Sequence, residues 1–153
     1  MKILLLSDTR ERLDKLKGIL KKHAKCDYIF HLGDGYQNLP NSDASNVFCV
    51  KGNRDLLSDC LPYKVVTLQG KRFLLTHGHE HGVKMGLARL MKLAKQEEAD
   101  VVCFGHSNRF YDDTLDGIRY INPGFLDKRS GLSSSYAIMD FIDGKIKVKK
   151  YDI

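Results

Sequence analysis

Carboxylates, imidazoles and side-chain amides recur beside small residues at five places in the chain. They are Ser7-Asp8, Gly33-Asp34, Gly52-Asn53-Arg54-Asp55, Thr76-His77-Gly78-His79 and Gly105-His106-Ser107-Asn108. Carboxylate oxygen and imidazole nitrogen form the ligand set for Mn²⁺, Fe²⁺, Zn²⁺ and similar ions. Glycine beside such ligands permits positive φ and a close backbone approach, as a tight metal loop requires. A lone Gly-Asp or Gly-Asn is most often a turn. The specific signal is the order: each group follows an apolar run, namely KILLL, YIFHL, VFCV, RFLL and VVCF.

Those runs are short and continuously apolar, as strands covered on both faces are. Helical spacing marks Glu11 to Lys22 through Leu13, Leu16, Ile19 and Leu20, and Met85 to Gln96 through Leu87, Leu90, Met91 and Ala94. Two further strands flank the turn Gln69-Gly70-Lys71. Phe110 to Ile121 reads as one hairpin, and Tyr136 to Tyr151 as a second that turns at Asp143-Gly144. The first half therefore alternates strand and helix, and the second half predicts a more antiparallel sheet. The fold class is α/β, with two packed mixed sheets flanked by helices. Open α/β sheets bind ligands beyond the carboxyl ends of their strands. If the strands are neighbours, Asp8, Asp34, Asn53, His77 and His106 converge.

Length, composition and charge bound the reading. A chain of 153 residues predicts a single domain over 1–153 with one full core. With 42% hydrophobic and 29% charged residues, a folded rather than disordered chain is expected. The N-terminal apolar run covers only Ile3 to Leu6, too short for a secretion signal or a membrane span, so a cytoplasmic location is expected. The four cysteines form no Cys-x-x-Cys pair, which argues against a zinc ribbon or a thioredoxin-like site. Cys49 and Cys103 lie in apolar runs and read as core thiols. A net charge of +6 suits an anionic partner. The basic face from Lys15 to Lys25 reads as solvated, because no nucleic-acid motif accompanies it; nucleic acid is the weaker choice of partner. His31, inside an apolar strand, reads as a hydrogen-bonded core residue, and Asp55 as a residue that fixes its loop.

The ordered series resembles the calcineurin-like metallophosphoesterase family, most of all its small single-domain phosphodiesterases from bacteria and archaea. The family pattern runs Asp-x-His, Gly-Asp, Gly-Asn-[His/Cys]-[Asp/Glu], His and Gly-His-x-His, and it spans nearly the whole chain. Ile121-Asn122-Pro123-Gly124 also resembles these small members. The resemblance implies a four-layer α/β/β/α sandwich. It implies one or two divalent ions, Mn²⁺ first, with Fe²⁺, Zn²⁺ or Ni²⁺ as alternatives. Asp34 would bridge two metal positions, and Asn53, His77 and His106 would complete one of them.

The other position should hold Asp8, Asp34 and imidazoles at positions 10 and 108. Here those positions are Arg10 and Asn108. Arginine stays protonated and cannot ligate a cation. Beside Asp8 and Asp34 it would form charge-assisted hydrogen bonds and replace a charge without replacing Lewis acidity. Asn108 keeps a carbonyl oxygen as a weaker ligand. Arg54 stands where a His or Cys usually follows the Asn, and Phe125 where a small residue often follows Asn-Pro-Gly. Arg10 and Arg54 could clamp phosphate oxygens, and leaving-group protonation would fall to water or His79. Two functions follow: hydrolysis of a small phosphodiester or phosphomonoester, or a binding module that retains the fold with weak or no catalysis. Neither the oligomeric state nor the substrate is written in these motifs.

Overall fold

The computed structural model describes residues 1–128 and 131–153. Ten strands and two α-helices follow one another as β1 (Lys2–Leu6), α1 (Leu13–Lys22), β2 (Tyr28–His31), β3 (Val47–Cys49), β4 (Tyr63–Leu68), β5 (Lys71–Thr76), α2 (Ala88–Gln96), β6 (Val101–Phe104), β7 (Phe110–Leu115), β8 (Ile118–Pro123), β9 (Ser135–Ile142) and β10 (Lys145–Asp152). They form two five-stranded sheets, ordered β10-β9-β1-β2-β3 and β4-β5-β6-β8-β7. In each sheet three parallel strands are extended by antiparallel ones: β1, β2 and β3 by β9, and β5, β6 and β8 by β4 and β7.

Side chains alternate across a strand, so a continuously apolar strand supplies two cores at once. Ile3 and Leu5 face the other sheet and pack with Phe30, Phe73, Leu75, Val101, Cys103 and Ile121. Leu4 and Leu6 face outward and pack against Leu16 and Ile19 of α1. The second sheet repeats the arrangement: Leu74, Val102 and Phe104 cover Leu90 and Ala94 of α2. The layers are therefore α/β/β/α, as expected from the resemblance. Cys49 and Cys103 are buried core residues.

All three tight hairpins use a two-residue turn with positive φ at both positions: Gln69-Gly70, Asp116-Gly117 and Asp143-Gly144. That geometry matches the twist of the flanking strands and favours Gly second. Two expectations need correction. The last hairpin does not extend the antiparallel part of the second sheet; β9 returns to the first sheet and pairs with β1. Both helices also start later than the apolar spacing predicts. Glu11 instead gives its backbone N–H to Asp127 Oδ1 at 2.9 Å, and Gly86 has φ 140°, which no α-helix accommodates. No helix among the described residues is long and apolar enough to cross a membrane.

Candidate metal centre

The parallel strands β1, β2, β3, β5 and β6 end near one another and deliver the chemical residues there. Beyond β1 and β2 the backbone pairing continues: Asp8 N–H donates to Gly33 C=O at 3.0 Å, and Thr9 N–H to Asp34 C=O at 2.9 Å. Asp8 and Asp34 both turn into the left-handed region, with φ 51° and 59°. Aspartate tolerates that conformation better than most residues. Both carboxylates are buried. The loop after β3 packs directly on them. A Cβ on Gly52 would collide with the Asp34 carboxylate, and one on Gly33 would lie 2.8 Å from His77 Nδ1. Glycine is needed at these two positions because side chains from other strand ends occupy the space.

His77 is the centre of the arrangement. It is fully buried, and its Nδ1 lies 2.6 Å from the Leu32 carbonyl. A carbonyl only accepts, so this contact places a proton on Nδ1, and in the neutral ring the lone pair is then on Nε2. That lone pair faces Asn53 Oδ1 at 3.1 Å, His106 Nδ1 at 3.2 Å and Asp34 Oδ2 at 3.5 Å. Asp8, Asp34 and His77 each also offer a ligand atom within 4.8 Å of the others. Carboxylates and lone pairs crowded in a buried site are electrostatically unfavourable until a cation joins them. The Nδ1–H···O=C contact is the support that orients metal-binding histidines.

A family model for the calcineurin-like phosphoesterase superfamily domain matches residues 1–144. The chain belongs to this superfamily. It is 34% identical over 154 residues to the probable metallophosphoesterase YsnB of Bacillus subtilis, covering 99% of this chain and 91% of that protein. Among solved structures, a predicted phosphoesterase of Streptococcus pneumoniae superposes with a TM-score of 0.82 at 22% identity, over 99% of this chain and 97% of that one. Vps29 of Entamoeba histolytica complexed with Zn²⁺ superposes with a TM-score of 0.74 at 18% identity, over 99% of both chains. At these identities the two structures establish the fold alone.

Of the positions that depart from the superfamily pattern, Arg10, Arg54 and Asn108 lie beside the cluster. Arg10 is exposed and does not clamp the carboxylates as expected. Among the described residues no ion pair joins it to Asp8 or Asp34. Its stem instead runs along Gly35, where an added Cβ would meet Arg10 Cγ at 2.8 Å. Arg54 shares a shallow groove with Arg10. Its backbone N–H donates to Asp34 Oδ1 at 2.8 Å, and its guanidinium lies 3.7 Å from Asp127 and 3.9 Å from Glu11. His79 joins the imidazole group, its ring centroid 5.3 Å from His77 and 6.0 Å from His106. Burial, and then the proximity of His77, hold its pKa below the usual histidine value. Asn108 is half-buried at φ 57°, its carbonyl oxygen shielded from solvent without a hydrogen-bond partner. Phe125 is a buried side chain of the interior.

Several residues outside the expected ligand set support the site. Asp127 receives the Glu11 N–H, while its own N–H donates to Asp8 C=O at 2.8 Å. Asn122, from the Asn-Pro-Gly segment, donates to Gly105 C=O at 3.0 Å and Ser107 Oγ at 2.9 Å, which braces the His106 loop. His31 is a core residue as expected, with Nε2 2.8 Å from Thr9 Oγ1. The Thr9 hydroxyl donates to Gly35 C=O, so His31 donates to Thr9 through Nε2. Burial lowers the His31 pKa to about 3.

Proposed function

We propose that this protein is a divalent-metal-dependent phosphoesterase that hydrolyses a small phosphodiester or phosphomonoester. One observation carries the reading: His77 Nε2 has Asn53 Oδ1, His106 Nδ1 and Asp34 Oδ2 within 3.5 Å. Imidazole nitrogen mixed with carboxylate and amide oxygen fits Mn²⁺, with Fe²⁺, Zn²⁺ or Ni²⁺ as alternatives. Asp34, Asn53, His77 and His106 would hold one ion. Asp8, Asp34 and the Asn108 carbonyl would hold a second more weakly. When bound, such ions polarise a phosphoryl oxygen and make water a stronger acid.

The chain's own residues supply the rest. Arg54, aimed by Asp127 and Glu11, binds phosphoryl oxygens from the rim, and Arg10 lies in the same groove for a second contact. Both remain protonated, so they hold charge and give up no proton. His79 is the imidazole of the cluster not needed as a ligand, and it relays a proton from water to the departing oxygen.

A second reading, a binding module with weak or no catalysis, is favoured by a specific observation. Arg10 and Asn108 occupy both positions where the superfamily pattern has imidazoles. The test is hydrolysis of bis-p-nitrophenyl phosphate and p-nitrophenyl phosphate with added Mn²⁺, against Asp34→Asn. Activity abolished by the substitution is the expected result. Activity no greater than that of Asp34→Asn, with no metal bound in equilibrium dialysis, would overturn the enzyme reading in favour of the module.

A further inference from the structure

Across the Gly105-to-Asn108 loop from the ligand cluster lies an open groove of about 570 Å³. Its walls are apolar and aromatic: Val83, Leu87, Phe104, Phe110 and Tyr111. The Phe104 and Tyr111 rings lie 6.1 Å apart. Lys84 and Arg109 also line it, both exposed, and neither takes part in an ion pair among the described residues. Asn108 connects the groove to the cluster, two residues beyond His106, with its Oδ1 unpartnered.

We propose that this groove receives the nucleoside part of a nucleotide ester whose phosphorus lies at the His77–Asp34 cluster. The inference rests on the phosphoesterase reading and adds the substrate class. A planar base matches aromatic and aliphatic walls, and a volume of this size lies in the range of small-molecule sites. Lys84 and Arg109, which line the same groove, can lie over the face of a bound base as cations. The Asn108 amide N–H₂ can donate to a ring nitrogen or carbonyl of the base, which leaves its oxygen for the cluster. A short alkyl ester would leave the aromatic walls, both cations and the amide unused.

The test is titration of ¹⁵N-labelled protein in Mg²⁺ with AMP, ribose 5-phosphate and inorganic phosphate, read by amide chemical shifts. All three should move the amides of Asp8, Asp34, Asn53, His77 and His106. Only AMP should also move those of Val83 to Leu87 and Ser107 to Tyr111, and it should bind about ten-fold tighter than ribose 5-phosphate. Leu87→Trp, which fills the groove, should remove that advantage and leave phosphate binding unchanged. Lys84→Glu, at an exposed position, should weaken AMP several-fold more than inorganic phosphate. Equal affinity for AMP and ribose 5-phosphate, with the groove amides unmoved, would overturn the inference while leaving the phosphate site standing. Groove shifts with AMP but no cluster shifts with any of the three would instead overturn the phosphoesterase reading on which it rests.

Discussion

The buried carboxylate of Asp55 accepts the backbone N–H of Asp34 at 2.8 Å. The same carboxylate accepts Gly35 N–H and Gly52 N–H, each at 2.9 Å, so one side chain ties the loop after β2 to the loop after β3. Asp55 contacts no phosphate in the proposed reaction; it sets where Asp34 and Asn53 sit.

Asp55→Ala should therefore act on both stability and metal affinity. Three buried N–H donors lose an ionised acceptor, and hydrogen bonds to charged groups contribute roughly 1.5–3 kcal/mol each before relaxation. We expect a loss of about 3 kcal/mol in urea unfolding. Mn²⁺ affinity should fall roughly 10–100-fold, as when the support of a ligand is removed. A variant with unchanged Mn²⁺ affinity would mean that the loops hold their positions without Asp55.

Asp127 should act through Arg54. Asp127→Asn keeps the shape of the side chain and removes its charge from the guanidinium. The expected result is a several-fold higher KM with a smaller change in kcat. In a double-mutant cycle, Asp127→Asn should add little to Arg54→Ala, because both remove one interaction. Full additivity would show that the 3.7 Å contact does not position Arg54.

His31 makes stability fall in acid. Its folded pKa is about 3, against an ordinary value of 6.5. Below pH 6.5 the unfolded chain takes up a proton that the folded chain refuses until about pH 3. The stabilisation is complete above 6.5 and declines as pH drops through that window, by at most about 1.4 kcal/mol per pH unit. Between pH 7 and pH 4 the unfolding free energy of His31→Gln should depend less steeply on pH than that of the natural protein. Parallel pH profiles would assign the acid sensitivity to other groups.

Restoring imidazoles at the departing positions should restore metal binding. Arg10→His combined with Asn108→His is expected to raise bound Mn²⁺ from one ion to two per chain in equilibrium dialysis. It should also raise the rate on bis-p-nitrophenyl phosphate. If neither quantity changes, these two positions do not limit the site.

Much of this was legible in one dimension because local pattern fixes local structure. Continuous apolar runs gave the strands, residues at helical spacing gave the helices, and Asp-Gly gave the last hairpin. The ligand cluster was legible for a related reason: Asp8, Asp34, Asn53, His77 and His106 each follow a strand, and parallel strands end on the same side. Arg54 beside Asn53 and Arg10 beside Thr9 were visible as substitutions, but the direction of each guanidinium was not. Arg10 lies along Gly35 rather than on the carboxylates.

The sequence by itself determined the kind of element at nearly every position, the ligand types and the order in which the chain presents them. Tertiary structure alone decided which sheet received the final hairpin, where α1 began and what surrounded the lone pair of His77. The helix start depends on Glu11 meeting Asp127, which lies 116 residues away. The candidate metal centre depends on a carbonyl 45 residues from His77 that accepts the Nδ1 proton. Side-chain periodicity is a local property readable within a few residues, whereas a hydrogen bond between distant residues has no sequence period and exists only once the sheets have packed.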